Sequence, residues 1–259
     1  MRAVAVLAAA AALLMAGQAV AQDYNWATTE YNYASRQLTD FTNRFQDDLV
    51  DPVLGKMRRD AAAASKRSGT PAARNVKAPA ATKAAPAGPL LFTPVRVPPA
   101  QSTARRIAAA YPAKAQAQAE ALFNQLLTSY AEMEKMNGVP HGDLGAAVAF
   151  FLGGNWMAMN NRDLSDAAFV PIIAQMRASL SASPGFARLT NAQKQEIYEQ
   201  MVINGMFMAT TQMALRKKPD PVMVTKMKAA GRANLTQWLG ADASALRVTA
   251  NGMELAVAD

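Results

Sequence analysis

The stretch Leu144–Met159 reads LGAAVAFFLGGNWMAM, and Asn155 is its one polar side chain. A helix that is apolar on every side must be wrapped by other helices or by lipid. The run is followed at once by Asn160-Asn161-Arg162-Asp163 and falls short of the ~20 residues a membrane span needs. It is therefore expected to be the central helix of a bundle. Gly153-Gly154 costs a helix about 1 kcal/mol per residue relative to Ala, a cost that makes sense where a second backbone comes close.

One other segment behaves alike. Met201–Ala209 is apolar except for Asn204, and on a helical wheel Glu196, Gln200, Asn204 and Thr211 form one polar line through it. The two segments are expected to lie side by side, closest near Gly153-Gly154. A buried amide left unpaired costs roughly 1–3 kcal/mol, so Asn155 and Asn204 each need a partner. Two arrangements satisfy them. They bond to each other or to Gln200 and Glu196 and fix the helix register, or the four residues line a polar slot for a small ligand.

Working outward, the region from Gln101 onward reads as helices. Ser102 or Thr103 caps a short helix reaching Ala110, and Pro112 opens a long one ending at Asn137-Gly138. The buried stripe of that long helix is Ala119, Leu122, Phe123, Leu126, Tyr130 and Met133. After the turn Val139-Pro140-His141-Gly142, Asp143 caps the central helix. Ser165 or Asp166 caps a helix interrupted or restarted at Pro171 and ending near Leu180, and Ser183-Pro184-Gly185 is a turn. Thr190 and Gln193 have capping-box spacing and open a helix to about Lys217. Asp220-Pro221 opens the last helix, closing at Leu239-Gly240. Leu246–Leu255, with Asn251-Gly252 inside it, is a hairpin or an ordered tail. The expected class is all-α, a bundle of about five to six helices over residues 100–259.

Upstream, Arg2, an apolar run from Ala3 to Gly17 and the small residues Ala19-Val20-Ala21 compose a secretory signal peptide over 1–21, cleaved before Gln22. Residues 22–65 carry Tyr31, Leu38, Phe41, Phe45 and Leu49 on one helical face, broken at Asp51-Pro52, with a shorter helix from Pro52 to Ala64. This amphipathic stripe is expected to dock on the domain, a partner or a membrane surface. Residues 66–99 hold seven of the fourteen prolines and read as a disordered basic linker. Within it, Leu90-Leu91-Phe92-Thr93 is the exception, an extended apolar segment expected to dock on the domain.

Charge is one-sided here. Between Asp60 and Glu120 there is no acidic residue, yet Lys66, Arg67, Arg74, Lys77, Lys83, Arg96, Arg105, Arg106 and Lys114 all occur. The whole chain carries a net charge of +8 with a pI near 9.8. In the periplasm or outside a bacterium, the compartment the signal peptide implies, such a chain is expected to meet anionic lipid or polysaccharide rather than nucleic acid. Lys66, Arg67, Arg74, Lys77 and Lys83 are the candidate contacts. No transmembrane helix is expected after signal cleavage.

Cysteine is absent, which removes disulfides, thiol catalysis and Cys-ligated zinc. Fifteen methionines raise copper(I) handling through soft thioethers. Met157/Met159 and Met206/Met208 point apart on a helix, however, and only Met133/Met136 and Met223/Met227 share a face. His141 is the single histidine. With carboxylates assembled by folding it offers an alternative, an envelope-polymer hydrolase or lyase. No phosphate loop, nucleophile elbow or zinc-protease helix occurs. No catalytic residue, metal or cofactor is assigned, and the expectation is a non-enzymatic exported binding or interaction protein with an envelope partner.

The Leu91-Phe92-Thr93-Pro94 entry, the helix ending Tyr130 to Gly138, Gln195-Glu196-x3-Gln200 and Leu246-Arg247-Val248-Thr249-x2-Gly252 together resemble an uncharacterised family of exported bacterial proteins, known only as a domain of unknown function. The resemblance covers about residues 90–255. It implies an all-α fold and transfers no activity or site residue.

Overall fold

A computed structural model describes residues 87–255. The expected signal peptide, the amphipathic segment 22–65 and most of the linker 66–99 lie outside the described residues. Within them there are seven α-helices: α1 (Thr103–Ala108), α2 (Ala113–Asn137), α3 (Leu144–Asn160), α4 (Asp166–Ser181), α5 (Pro184–Arg188), α6 (Asn191–Lys217) and α7 (Pro221–Leu239). A two-stranded antiparallel hairpin follows, β1 (Leu246–Thr249) and β2 (Gly252–Leu255). The fold is an all-α bundle with this small appendage. None of the described helices is long and apolar enough to cross a membrane.

The all-apolar segment is the axis of the bundle. Every residue from Leu144 to Met159 is buried, covered mainly by α4, α6 and α7. Contacts along the axis give the directions. Tyr198 lies beside His141, Gly205 against Gly154, and Arg216 pairs with Asp163 at 2.5 Å, so α6 runs parallel to α3. Residues of α7 ascend the other way, with Gly231 against Asn155 and Met159 and Trp238 against Phe151. The helix α4 is also antiparallel, with Phe169 at Gly153 and Arg177 at Gly145.

Glycine makes the closest approaches possible. A Cβ at Gly154 would strike the Gly205 carbonyl oxygen, one at Gly205 would lie 2.9 Å from the backbone of Phe150 and Phe151, and one at Gly231 would lie 2.5 Å from the Asn155 carbonyl. The helix α3 is thus pressed between α6 and α7 at main-chain contact.

Local signals hold most of the boundaries. The hydroxyl of Ser102 caps α1 and that of Ser165 caps α4, while Asp143 and Asp220 carboxylates cap α3 and α7. Thr190 and Gln193 form both halves of a capping box. Gly138 and Gly240 close their helices at φ 66° and 60°. Two expectations need refinement. Pro171 does not interrupt α4, which is continuous from Asp166 to Ser181. A proline near the helix start removes one hydrogen bond, to the carbonyl of Ala167, and Ala167 is exposed to water. The Ser183-Pro184-Gly185 turn is the opening of α5, with Ser183 as its cap.

The hairpin packs Leu246, Met253 and Leu255 into the core and is pinned by one polar side chain. Gln175 on α4 donates Nε2–H to the Met253 carbonyl at 2.8 Å and accepts the Met253 N–H at 2.9 Å. Its amide acts as a third strand one residue long. Gly252 leaves the room, because a Cβ there would sit 2.5 Å from Gln175 Oε1.

Candidate functional site

Of the four predicted polar residues, the fold joins Asn155 and Asn204 and engages Glu196 elsewhere. Asn155, fully buried, donates Nδ2–H to the Phe151 carbonyl and to Asn204 Oδ1, both at 2.8 Å. Its Oδ1 accepts from Asn234 Nδ2 at 2.9 Å. Three asparagines from α3, α6 and α7 therefore form one chain of amides beside the glycine contacts. Gln200 is buried on α6. Glu196 turns instead to Arg106 on α1, at 3.2 Å. Lys66, Arg67, Arg74, Lys77 and Lys83 lie outside the described residues.

Asn234 escaped the sequence reading. Its signal was available, since it shares a helical face with Met227, Gly231 and Trp238, all buried, and a polar residue on such a face requires a partner.

A second constellation surrounds His141. Glu134 is on α2, and its side chain is only 1 % exposed. Its Oε2 lies 2.7 Å from His141 Nδ1 and accepts the Tyr198 hydroxyl at 2.9 Å. Tyr198 OH is also 3.4 Å from His141 Nδ1. Phe92 closes over the cluster, 5.6 Å from the Tyr198 ring and against Gly142. Burial raises the Glu134 carboxyl above the ordinary carboxylate range. The bonds from His141 and Tyr198 and the backbone N–H of Gly142 oppose that shift without cancelling it. Burial and the neighbouring Glu134 push the Tyr198 phenol far up as well, so Tyr198 remains a donor.

The neighbouring Asp143 is already committed. It is fully buried. Its Oδ2 receives Nε–H of Arg177 at 2.7 Å and the Arg177 NH2 group, while Oδ1 receives the N–H groups of Leu90 and Gly145 at 3.2 and 3.0 Å. Chemically, a carboxylate on Nδ1 orients an imidazole and leaves Nε2 as its other nitrogen, which can exchange a proton with solvent. His141 is 65 % exposed, so this imidazole lies at the surface. Glu134 is the carboxylate bonded to it, and three others are engaged elsewhere. Asp143 serves Arg177, Glu196 serves Arg106, and Glu254 accepts from Thr249 at 3.0 Å. Among the described residues no three His, Cys, Asp or Glu side chains form a metal-binding group.

The methionine thioethers mostly fill the core. Met176, Met201, Met206 and Met253 are fully buried. Met208 and Met227 meet in a smaller cluster with Ala158 and Ala230, packed against half-buried Met223, Phe207 and Leu215. Flexible thioethers suit such irregular gaps.

The Glu134 environment carries a testable pH signature. A raised carboxyl pKa means the folded state binds more proton than the unfolded chain in the window between the two values. Its stabilising contribution is full below the ordinary carboxylate pKa and is lost as pH rises through the raised value. Glu134→Gln keeps an acceptor for Tyr198 and removes the titration. Urea unfolding across pH 4 to 8 should show a flatter stability profile for this variant than for the parent, whereas identical slopes would mean that Glu134 titrates normally.

The chain belongs to a family of unknown function, DUF6683, which matches residues 1–256. The match is wider than the motifs near residues 90–255 suggested. A comparison with curated proteins finds no match, and a comparison with solved structures finds none either.

Proposed function

We propose that this protein is an exported, periplasmic binding or interaction protein without catalytic activity, tethered to anionic envelope surfaces by its basic segment. The observation that carries this reading is the run of nine Lys and Arg residues between Asp60 and Glu120 with no acidic residue among them. Its folded end supports it, because Arg96, Arg105 and Lys114 are exposed at the edge of the domain. Each such cation near an anionic lipid surface contributes about 1 kcal/mol, and the attraction falls off within a Debye length. Export rests on the Arg2, Ala3–Gly17 and Ala19-Val20-Ala21 pattern. The non-enzymatic reading draws support from how the described polar groups are used. The amides of Asn155, Asn204 and Asn234 bond to one another, the carboxylates of Asp143 and Glu196 are engaged by arginines, and Glu134 alone among the described carboxylates bonds His141.

The test uses the chain from Gln22 onward, which retains every described residue, and vesicles containing phosphatidylglycerol. Co-sedimentation at low salt should fall steeply as ionic strength rises. Changing Lys66, Arg67, Arg74, Lys77 and Lys83 together to Gln should remove most of it. Binding that ignores salt, or no binding at low salt, would defeat the tether.

A further inference from the structure

Six large apolar side chains are exposed among the described residues: Leu91, Val95, Val97, Met136, Val170 and Val222. Three of them fall within seven consecutive positions, in the extended segment that joins the basic region to the bundle. This segment is held rigidly. Leu90 donates to Asp143 and accepts from the Leu144 N–H at 3.1 Å. The Thr93 N–H bonds Asn191 Oδ1 at 3.3 Å, and the Val95 N–H bonds Gln195 Oε1 at 2.7 Å. Leu90 and Phe92 pack on the core. Leu91, Val95 and Val97 have the opposite parity in an extended chain and are 54 %, 39 % and 38 % exposed. Arg96 stands between two of them in sequence and is exposed with the opposite parity, and Arg105 is exposed on the helix that follows.

We infer that Leu91, Val95 and Val97 form a membrane-seating edge that enters the headgroup layer of an anionic lipid bilayer while the flanking cations hold it there. The inference rests on the tether proposed above and specifies its surface. Charge complementarity selects an anionic partner. The apolar side chains select lipid over polysaccharide, since only lipid offers hydrocarbon at the depth of a side chain. The edge is pre-organised, so little further chain ordering accompanies seating. Val222 begins α7, at the opposite end of α3 from this edge, and Val170 is on α4. Both serve as internal controls.

The absence of cysteine makes the experiment direct. Single Cys substitutions at Leu91, Val95, Val97, Val170 and Val222 are labelled with a polarity-sensitive fluorophore and mixed with phosphatidylglycerol–phosphatidylethanolamine vesicles, with sedimentation followed in parallel. The expected result is a several-fold emission rise at Leu91, Val95 and Val97 and none at Val170 or Val222. The triple variant L91S/V95S/V97S should still sediment at low salt but lose the fraction that survives moderate salt. Unchanged labels on protein that does sediment would overturn the seating edge and leave the tether standing. No sedimentation at low salt would overturn the tether and the edge with it. A rise that follows protein concentration without lipid would assign the edge to a second copy of the chain and overturn the lipid assignment.

Discussion

Gly154→Ala should destabilise the protein although alanine is the better helix former. Propensity alone would favour the change by about 1 kcal/mol. Against this, the new Cβ would collide with the Gly205 carbonyl oxygen. Backbone on both sides leaves nothing that can turn away, so α6 must move, and Gly205 is itself pressed on Phe150 and Phe151. Overpacking of this kind costs typically ~1–3 kcal/mol, and Gly154→Leu should lie at or above the upper end. Gly153→Ala gives the contrast. Its Cβ would meet the Phe169 ring at 2.5 Å, and Phe169 is a half-buried side chain that can shift. Denaturant unfolding should rank the variants Gly154→Leu, Gly154→Ala, Gly153→Ala from most to least damaged. A Gly154→Ala protein as stable as the parent would refute the main-chain contact.

The second large effect belongs to Asn155. Replacing it with Leu keeps the volume but orphans two groups, the buried Asn234 Nδ2 and Oδ1 of half-buried Asn204. The Phe151 carbonyl keeps its helical partner. At ~1–3 kcal/mol for the buried orphan and less for the half-buried one, the expected loss is about 2–4 kcal/mol. The amide chain also predicts non-additivity. Asn155→Leu combined with Asn234→Leu should cost less than the two changes summed, with a coupling of ~0.5–3 kcal/mol, because the double variant no longer strands a donor. Additive costs would mean that the three amides act independently. Asn204→Leu then separates register from recognition. A loss of stability alone marks a structural amide, while a fully stable protein would point to a group kept for a ligand.

Much of this arrangement was legible because its causes are local or categorical. Sixteen residues without a charged side chain allow one location, so the axial role of α3 followed from Leu144–Met159 alone. Capping chemistry acts within three or four residues, which is why Thr190 and Gln193 opened α6 where the spacing placed it. That Asn155 and Asn204 each need a partner followed from both being polar on all-apolar helices, with their mutual bond one of the alternatives left open. What stayed hidden depends on distant partners. Glu134 and Tyr198 are 64 residues apart and meet only because α2 and α6 both pass the turn at His141. Glu134 did carry a hint, four residues beyond Tyr130 on the stripe side of α2, where a carboxylate without a partner would be costly. Gln175 gave none, since an amide serving as a one-residue strand has no spacing signature. The seating edge was half visible. Of its residues only Leu91 stood out, in a run expected to dock whole, whereas Leu90 and Phe92 turn inward and Leu91 does not, because the segment is held by Asp143, Asn191 and Gln195.

The position of α3 in the chain also bears on how the protein comes to exist. The three main neighbours of this helix, α4, α6 and α7, are all made after it, and α7 ends eighty residues beyond Met159. During synthesis, roughly ten seconds pass in which this all-apolar helix has been made without most of its cover. Shortening the chain from its C-terminus should therefore yield aggregates rather than smaller folded proteins. The finished bundle is marked by this birth order as one whose last helix decides its solubility.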